Sequence, residues 1–172
     1  MRHTGRVTNT ERTLILLRHA KSDWTEFMPD FDRPLAERGR GQAPLAGRWL
    51  AGGTGRVDLA IVSPAQRARE TWELVSAELA TAPPARLDDR VYAASADRLL
   101  EVVREVPEDV RTVILVGHNP GMEVLASQLA GEDVIMRTSG LAEFGVSRPW
   151  PELDAATATL RAAGRADGHG LG

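Results

Sequence analysis

Three short runs of the chain are almost wholly apolar, and a longer amphipathic stretch follows each of them. The apolar runs cover residues 13–17, 57–62 and 112–116. Unbroken runs of this length are typical of central strands that are covered on both faces of a sheet. The amphipathic stretches, which carry apolar residues at helical spacing, cover about 36–51, 64–80, 95–106 and 120–130. This alternation predicts an α/β domain with a largely parallel sheet.

The C-terminal third continues the pattern with two further predicted strands. The sequence LAEFGVS (141–147) alternates between apolar and other residues as a strand does. The sequence ATATLRA (156–162) fits either a strand or a helical turn, and we favour an edge strand. No internal repeat or linker divides the chain, so we expect one domain over residues 12–163, with flexible termini at 1–11 and 164–172.

Composition narrows the functional classes to which the chain can belong. Its 172 residues are 42% hydrophobic and 26% charged, as in a globular domain, and the net charge of −3 gives no broad basic surface for nucleic acid or anionic membranes. The absence of cysteine excludes disulfides and thiolate chemistry. The histidines lack metal-ligand spacing, and no apolar window is long enough to cross a membrane. We therefore expect a cytoplasmic protein that uses no metal or cofactor.

Charged and imidazole side chains follow each of the three central strands. The first strand ends in Arg18 and His19, and the third ends in Gly117 and His118. The second strand runs into SPAQRARET, which places Arg67 one turn into the following helix. In an open α/β sheet, ligands bind outside the carboxyl ends of the strands. Parallel neighbouring strands would therefore gather these side chains at one edge of the sheet.

Two of the predicted helices begin with N-cap signatures. Ser63 and Pro64 suit the N-cap and first helical positions, and Gln66 completes a capping-box pattern. Asn119 and Pro120 repeat the N-cap and first-turn pattern after the third strand. These signatures predict two helices whose positive N-terminal ends face the same edge of the sheet.

Two guanidinium groups, two imidazoles and two helix N-termini at one edge describe a site for a compact dianion, most naturally phosphate. The arginines can donate paired hydrogen bonds to phosphate oxygens. Their charges favour a neutral imidazole, whose lone pair can attack phosphorus. The other imidazole can donate a hydrogen bond to the phosphoryl oxygens in the transition state. Such a site draws its positive field from side chains and requires no metal ion.

The motifs LLRHAKSDW, SPAQRARET and VGHNP, in this order, resemble those of the histidine phosphatase superfamily. The likeness spans residues 13 to about 147 and is greatest to the short, SixA-type phosphohistidine phosphatase branch. It implies the phosphoglycerate mutase-like fold, a three-layer α/β/α sandwich with a mostly parallel sheet. It also implies that His19 is the phosphorylated nucleophile, that Arg18 and Arg67 bind the phosphate, and that His118 completes the pocket.

Two features depart from the family pattern. Ala20 stands where most members have glycine, and a methyl group there can narrow the approach to the nucleophile. Many members use a glutamate as general acid, and the comparable place in RLDDRVY holds Asp89. Asp23, close to His19 in sequence, is a rival, and a site without a dedicated acid is the third alternative. Ser22, in the loop after the nucleophile, is a candidate for a hydrogen bond to a phosphate oxygen.

From these residues we expect a metal-independent phosphatase that works through a phosphohistidine intermediate. A weak or missing acid favours phosphohistidine on a protein as the substrate, because imidazole leaves more readily than an alkoxide. Two alternatives stay open: a phosphatase of a small phosphate ester such as a sugar phosphate or nucleotide, and a non-catalytic module that binds phosphorylated ligands. We expect a monomer or a weak dimer.

Overall fold

A computed structural model describes residues 11–172, and within this range six strands form a single sheet. The strands are β1 (Arg12–Arg18), β2 (Leu59–Val62), β3 (Ala85–Leu87), β4 (Thr112–Gly117), β5 (Gly140–Val146) and β6 (Ala158–Arg165). The helices of the same range are α1 (Glu37–Gly53), α2 (Gln66–Ser76), α3 (Ala96–Arg104) and α4 (Gly121–Ala130). Short 3-10 turns cover Asp30–Asp32, Asp89–Val91 and Trp150–Glu152.

The three strands predicted to be central neighbours lie side by side. The strand order is β3-β2-β4-β1-β5-β6, with β3, β2, β4 and β1 mutually parallel and β5 antiparallel to β1 and β6. The register pairs Arg18 with Gly117 and Val62 with Val116, so the three central strands end at the same level. The mostly parallel sheet is confirmed, and so are the strands predicted near 141–147 and 156–162.

Helices cover both faces of the sheet and give the predicted three layers. Leu14 and Leu16 of β1 lie in one apolar core with residues of α3 and α4. Ile15 and Leu17 lie in a second core with residues of α1 and α2. All four side chains are completely buried, which explains why the strand sequence shows no polar alternation. None of the helices in the described range is long and apolar enough to cross a membrane.

The helix after β2 begins later than its sequence signature predicts. The structure starts α2 at Gln66, with Ala65 as the N-cap residue and no side-chain cap. Ser63 is therefore not the N-cap; its buried hydroxyl lies 2.7 Å from the Nε2 atom of His118. A contact between residues that are 55 positions apart cannot be seen in a local capping pattern.

Of the two termini that the sequence predicts to be flexible, the structure describes the C-terminal one. Residues 1–10 lie outside the described residues, and β1 begins at Arg12. At the other end, β6 runs to Arg165, and the last residues fold back on it. The backbone groups of Arg165 and Gly172 exchange two hydrogen bonds, of 3.2 and 3.1 Å. The segment 164–172 is thus paired with the end of the sheet in this structure.

Helix α1 supports the loop that follows β1. Gly39 lies against the backbone of Lys21, two residues beyond His19, and a Cβ atom at Gly39 would collide with the Lys21 carbonyl oxygen. The Lys21 carbonyl also accepts a hydrogen bond of 2.9 Å from the backbone N–H of Ala36. The start of α1 therefore fixes the position of the loop, and only glycine permits so close an approach.

We expect Gly39→Ala to lower the free energy of unfolding by about 1–3 kcal/mol, because the added methyl group forces two backbones apart. Gly41→Ala is the matched control. It lies in the same helix, nothing lies within 4 Å of its added methyl group, and the change should raise stability by about 0.5–1 kcal/mol. Urea unfolding of both variants measures the difference; equal stabilities would contradict the close packing of Gly39.

Candidate active site

The carboxyl ends of β1 and β4 place two histidines side by side. His19 and His118 directly follow the paired residues Arg18 and Gly117. The centroids of the two imidazole rings lie 4.9 Å apart, and both side chains are buried. Arg67, at the second position of α2, brings its guanidinium to the same point. The four side chains that the sequence predicted to converge therefore do so.

The side chain of His19 is held in one tautomer. Its Nδ1 atom lies 2.7 Å from the carbonyl oxygen of Ala20. Because a carbonyl oxygen can only accept a hydrogen bond, Nδ1 carries the ring proton and Nε2 carries the lone pair. The Nε atom of Arg67 donates a hydrogen bond of 3.4 Å to that lone pair. The nitrogen that carries the lone pair thus faces a guanidinium group.

Backbone contacts fix the position of His19 as firmly as its side-chain contacts do. Its N–H donates to the carbonyl of Gly117 at 3.0 Å, and its carbonyl accepts from the N–H of Ser139 at 3.0 Å. The N–H of the next residue, Ala20, donates to the Oγ1 atom of Thr71 at 3.0 Å. Ala20 is completely buried, so its methyl group packs in the core and does not narrow the cleft.

The ring of His118 is oriented by Ser63. The Nε2 atom of His118 lies 2.7 Å from the Ser63 hydroxyl, which also accepts a hydrogen bond of 3.3 Å from the N–H of Ala65. The Nδ1 atom is buried and has no hydrogen-bond partner in the structure. A buried polar atom without a partner is uncommon, and this one belongs to a ring that lines a cleft.

Both histidines are neutral near pH 7. Burial is the main cause that lowers the pKa of His19 to about 4, and the charges of Arg67 and Arg18 act in the same direction against the opposing bond to Ala20. Burial also lowers the pKa of His118 to about 3, with contributions from His19 and Arg67. A neutral His19 keeps its lone pair available for attack on an electrophile.

Arg18 is held by the backbone carbonyl of Met136, in the segment between α4 and β5. Its Nη1 atom donates to the carbonyl of Met136 at 3.1 Å, and the side-chain amide of Asn119 donates to the same carbonyl at 2.8 Å. The carboxylate of Glu123 accepts from the N–H of Met136 at 2.9 Å. The Nε atom of Arg18 is buried and has no hydrogen-bond partner in the structure, while the residue itself lines the cleft.

Asp30 and Tyr92 belong to the site, and the sequence analysis did not find them. The Asp30 carboxylate accepts a hydrogen bond of 3.0 Å from Arg67 and one of 2.8 Å from the Tyr92 hydroxyl. The Asp30 carbonyl accepts a further bond of 2.7 Å from Arg67. Partial burial raises the pKa of Asp30, but the bonds from Tyr92 and Arg67 outweigh it, so the pKa lies below its ordinary value.

The two carboxylates that the sequence offered as general acids lie elsewhere. Asp89 begins a 3-10 turn, is exposed and does not line the cleft. The Asp23 carboxylate does not line the cleft either; it accepts hydrogen bonds from the N–H and hydroxyl of Thr25 at 2.8 and 2.7 Å. Ser22 lines the cleft, and its predicted hydrogen bond to a phosphate oxygen stays a prediction. Among the described residues, Asp30 is the carboxylate that lines the cleft.

These side chains surround one cleft of about 530 Å³. Its charged lining consists of Arg18, Arg67, Lys21 and Asp30, with the two imidazoles at the base. A partly open cavity with two guanidinium groups and a lone pair between them suits a phosphoryl group.

The matched family model is the histidine phosphatase superfamily (branch 1), over residues 14–92. An uncharacterized protein of Mycobacterium tuberculosis (strain ATCC 25618 / H37Rv) is 36% identical over 155 residues, which are 84% of this chain and 96% of that protein. The candidate phosphohistidine phosphatase SixA of Nakamurella multipartitia superimposes with a TM-score of 0.81 at 28% identity, over 91% of this chain and 96% of that one. The chain belongs to the histidine phosphatase superfamily.

A second structure gives the same assignment. The candidate phosphohistidine phosphatase SixA of Agrobacterium tumefaciens is 30% identical, with a TM-score of 0.76, over 88% of this chain and 96% of that one. This superfamily member carries Arg18, His19 and Arg67 within the range of the family model, while His118 lies beyond it. The register of β4 against β1 brings His118 to the other three residues.

We expect the stability of the protein to fall as the pH falls below about 6.5, because both histidines are buried in the neutral form. The unfolded chain takes up protons with a pKa of 6.5, whereas folded His19 and His118 take them up near 4 and 3. The unfolded state therefore binds more protons throughout this window, and stability is lost as the pH falls through it.

Urea unfolding at about pH 7.5 and about pH 5 measures this loss. His19→Asn and His118→Asn should each reduce the difference between the two pH values. His169→Asn, which changes an exposed histidine near the C-terminus, is the control and should keep the full difference. An unchanged pH dependence in both active-site variants would show that the two imidazoles are not held neutral by burial.

Proposed function

We propose that this protein is a metal-independent phosphatase that forms a phosphohistidine intermediate on His19, with phosphohistidine on a protein as its substrate. The observation that carries the proposal is the fixed orientation of the His19 ring. The ring donates through Nδ1 to the Ala20 carbonyl, and the lone pair on Nε2 faces the Arg67 guanidinium. A module that only binds phosphate needs the cations but has no use for a nucleophile held in one tautomer.

In the first step, the Nε2 lone pair of His19 forms a bond to phosphorus while the bond from phosphorus to the leaving group breaks. Arg67 exchanges its hydrogen bond to Nε2 for bonds to phosphoryl oxygens, and the guanidinium of Arg18, which lines the same cleft, supplies another. The ring proton of His19 stays on Nδ1 and is donated to the Ala20 carbonyl, and this hydrogen bond stabilises the positive charge that develops on the ring.

In the second step, a water oxygen attacks the phosphorus from the cleft, and the bond to His19 breaks. His19 recovers its lone pair, and the proton of the water leaves with inorganic phosphate. The bond to Ala20 keeps the ring in place through both steps, so the same nitrogen receives and releases the phosphoryl group.

The lack of a protonated carboxyl group supports phosphohistidine as the substrate. Asp30 is the carboxylate among the described residues that lines the cleft, and hydrogen bonds from Tyr92 and Arg67 keep it ionised. An alkoxide leaving group would need a proton that this site does not offer, which costs about 10²–10⁴ in rate. A phosphorylated imidazole protonated on its second nitrogen already carries the proton with which it leaves.

The mouth of the cleft supports a protein as the carrier of that phosphohistidine. Trp24 lines the cleft with 64% of its surface exposed, and Phe27 is fully exposed in the same loop. The loop is not loose, because buried Arg33 stacks under Trp24 at 3.8 Å and donates to the Asp23 carbonyl at 2.8 Å. A fixed loop with exposed aromatic rings is typical of protein-binding surfaces.

The nucleophile is tested with a peptide that carries ³²P-labelled phosphohistidine. The wild-type protein should release phosphate and, after rapid alkaline quench, carry label on His19, whereas His19→Ala should carry none and lose activity by at least about 10³-fold. His169→Ala is the matched control and should behave as wild type. Fast turnover of small phosphate esters with slow cleavage of the peptide would reverse the substrate order, and neither label nor turnover would favour a binding module.

Asp89 is expected to have no part in the reaction, because its exposed carboxylate does not line the cleft. Asp89→Asn should keep kcat/KM for the phosphohistidine peptide within about twofold of the wild-type value, whereas loss of a general acid costs about 10²–10⁴. Steady-state assays at about pH 7 measure the ratio. A loss of 10²-fold or more in Asp89→Asn would mean that the turn carrying Asp89 moves into the cleft during turnover.

A further inference from the structure

One charged group in the cleft has no part in the two chemical steps described above. Asp30 lies in the 3-10 turn between β1 and α1, and about half of its side chain is exposed. Its Oδ2 atom accepts from both Arg67 and Tyr92, while its Oδ1 atom has no hydrogen-bond partner among the described residues. An ionised carboxylate beside a phosphate site weakens phosphate binding, so its presence there calls for a separate role.

Arg67 sets the distance between Asp30 and the nucleophile. The Nε atom of Arg67 faces the His19 lone pair at 3.4 Å, and its Nη2 atom faces the Asp30 carboxylate at 3.0 Å. Because Nη1 also donates to the Asp30 carbonyl at 2.7 Å, Asp30 is bound by the two terminal nitrogens of the guanidinium and His19 by Nε. In-line attack by His19 places the leaving group on the side of phosphorus that faces away from Nε2, and Asp30 lines the cleft from which the substrate enters.

We propose that Asp30 determines the choice of leaving group: its Oδ1 atom accepts a hydrogen bond from the N–H of the imidazole that departs from phosphorus. The inference rests on the proposed function, because it concerns the same phosphoryl transfer to His19. As the P–N bond breaks, its electron pair returns to the departing nitrogen. The proton on the other ring nitrogen stays there, and neutral imidazole leaves without a proton transfer from the protein.

The contacts of Asp30 suit this role better than that of an acid. Tyr92 and Arg67 fix Oδ2, so the orientation of Oδ1 is set before the substrate arrives. The same hydrogen bonds hold the pKa of Asp30 below its ordinary value, so the group accepts and does not donate. The negative charge attracts a cationic phosphoimidazole and repels an ester whose leaving group carries a carboxylate.

The aromatic ring of Tyr92 also helps to fix the position of Asp30. The centroid of its ring lies 5.2 Å from that of Phe31 and 5.6 Å from that of His118, and in both pairs the ring planes are nearly perpendicular. Tyr92 thereby joins the turn that carries Asp30 to the imidazole pair at the base of the cleft. The position of the carboxylate depends on this packing as well as on Arg67.

The test compares Asp30→Asn with Asp32→Asn on three substrates. Asp32 lies in the same turn, carries the same charge and does not line the cleft, so it is the matched control. The substrates are a phosphohistidine peptide, 4-nitrophenyl phosphate, whose leaving group needs no proton, and phosphoglycolate, whose leaving group is anionic. We expect Asp30→Asn to lower kcat/KM for the peptide about 10- to 100-fold relative to 4-nitrophenyl phosphate.

Two further readouts separate this role from simple support of Arg67. Turnover of phosphoglycolate relative to 4-nitrophenyl phosphate should rise in Asp30→Asn, and the inhibition constant of inorganic phosphate should stay the same or fall. If Asp30 only supported Arg67, all three substrates would suffer equally and phosphate would bind less tightly, which would overturn the proposal. An equal effect of Asp32→Asn would also overturn it.

The outcome for Asp30 can be distinguished from the outcome for the proposed function. If the wild-type protein cleaves both esters but not the peptide, the phosphohistidine assignment fails. The ratio of the two esters in Asp30→Asn then still decides whether the carboxylate selects against anionic leaving groups. If the wild type cleaves none of the three and traps no phosphate on His19, both proposals are overturned.

Discussion

The parallel pairing of β1 with β4 is the constraint on which the whole site depends. Its register places Arg18 opposite Gly117, and each strand then delivers one imidazole to the same point. Successive residues of a strand point to opposite faces, so a slip of one residue would exchange the two apolar cores and separate the rings. The register is secured by side chains of β1 that are completely buried on both faces. The core that stabilises the fold thus also sets the distance between the two histidines.

Burial then determines the chemistry of the residues that the register brings together. Two imidazoles next to two guanidinium groups cannot take up protons near pH 7, which keeps the lone pair of His19 free. The positive charge of Arg67 needs a counter-charge when no phosphate is bound, and Asp30 provides one from a loop. The ion pair holds the guanidinium in the orientation in which its Nε atom faces His19.

The residues at the strand ends could be predicted from sequence, and the residues in the loops could not. Arg18, His19 and His118 follow apolar runs whose parallel pairing is implied by strand–helix alternation. Asp30 lies in a stretch rich in charges, and only its contact with Arg67, 37 positions away, distinguishes it from its neighbours. Asp89 shows the opposite failure, because its place in the sequence fits the family pattern while the turn leaves it exposed. Local sequence patterns predict helices and strands, whereas the contacts of loop residues depend on the completed fold.

In the proposed phosphate site, a fixed carboxylate lowers the affinity for phosphate and raises the selectivity for the leaving group. Its repulsion weakens the binding of every phosphorylated ligand to a similar degree, but its effect on the leaving group changes sign with the charge of that group. A protein with two arginines in its cleft can lose some phosphate affinity and still bind its substrate. In the proposed reaction the two arginines bind phosphoryl oxygens, which all phosphorylated substrates share, so the arginines do not discriminate between leaving groups. The proposal assigns this discrimination to Asp30, because it is the carboxylate among the described residues that lines the cleft and it is fixed there by Arg67.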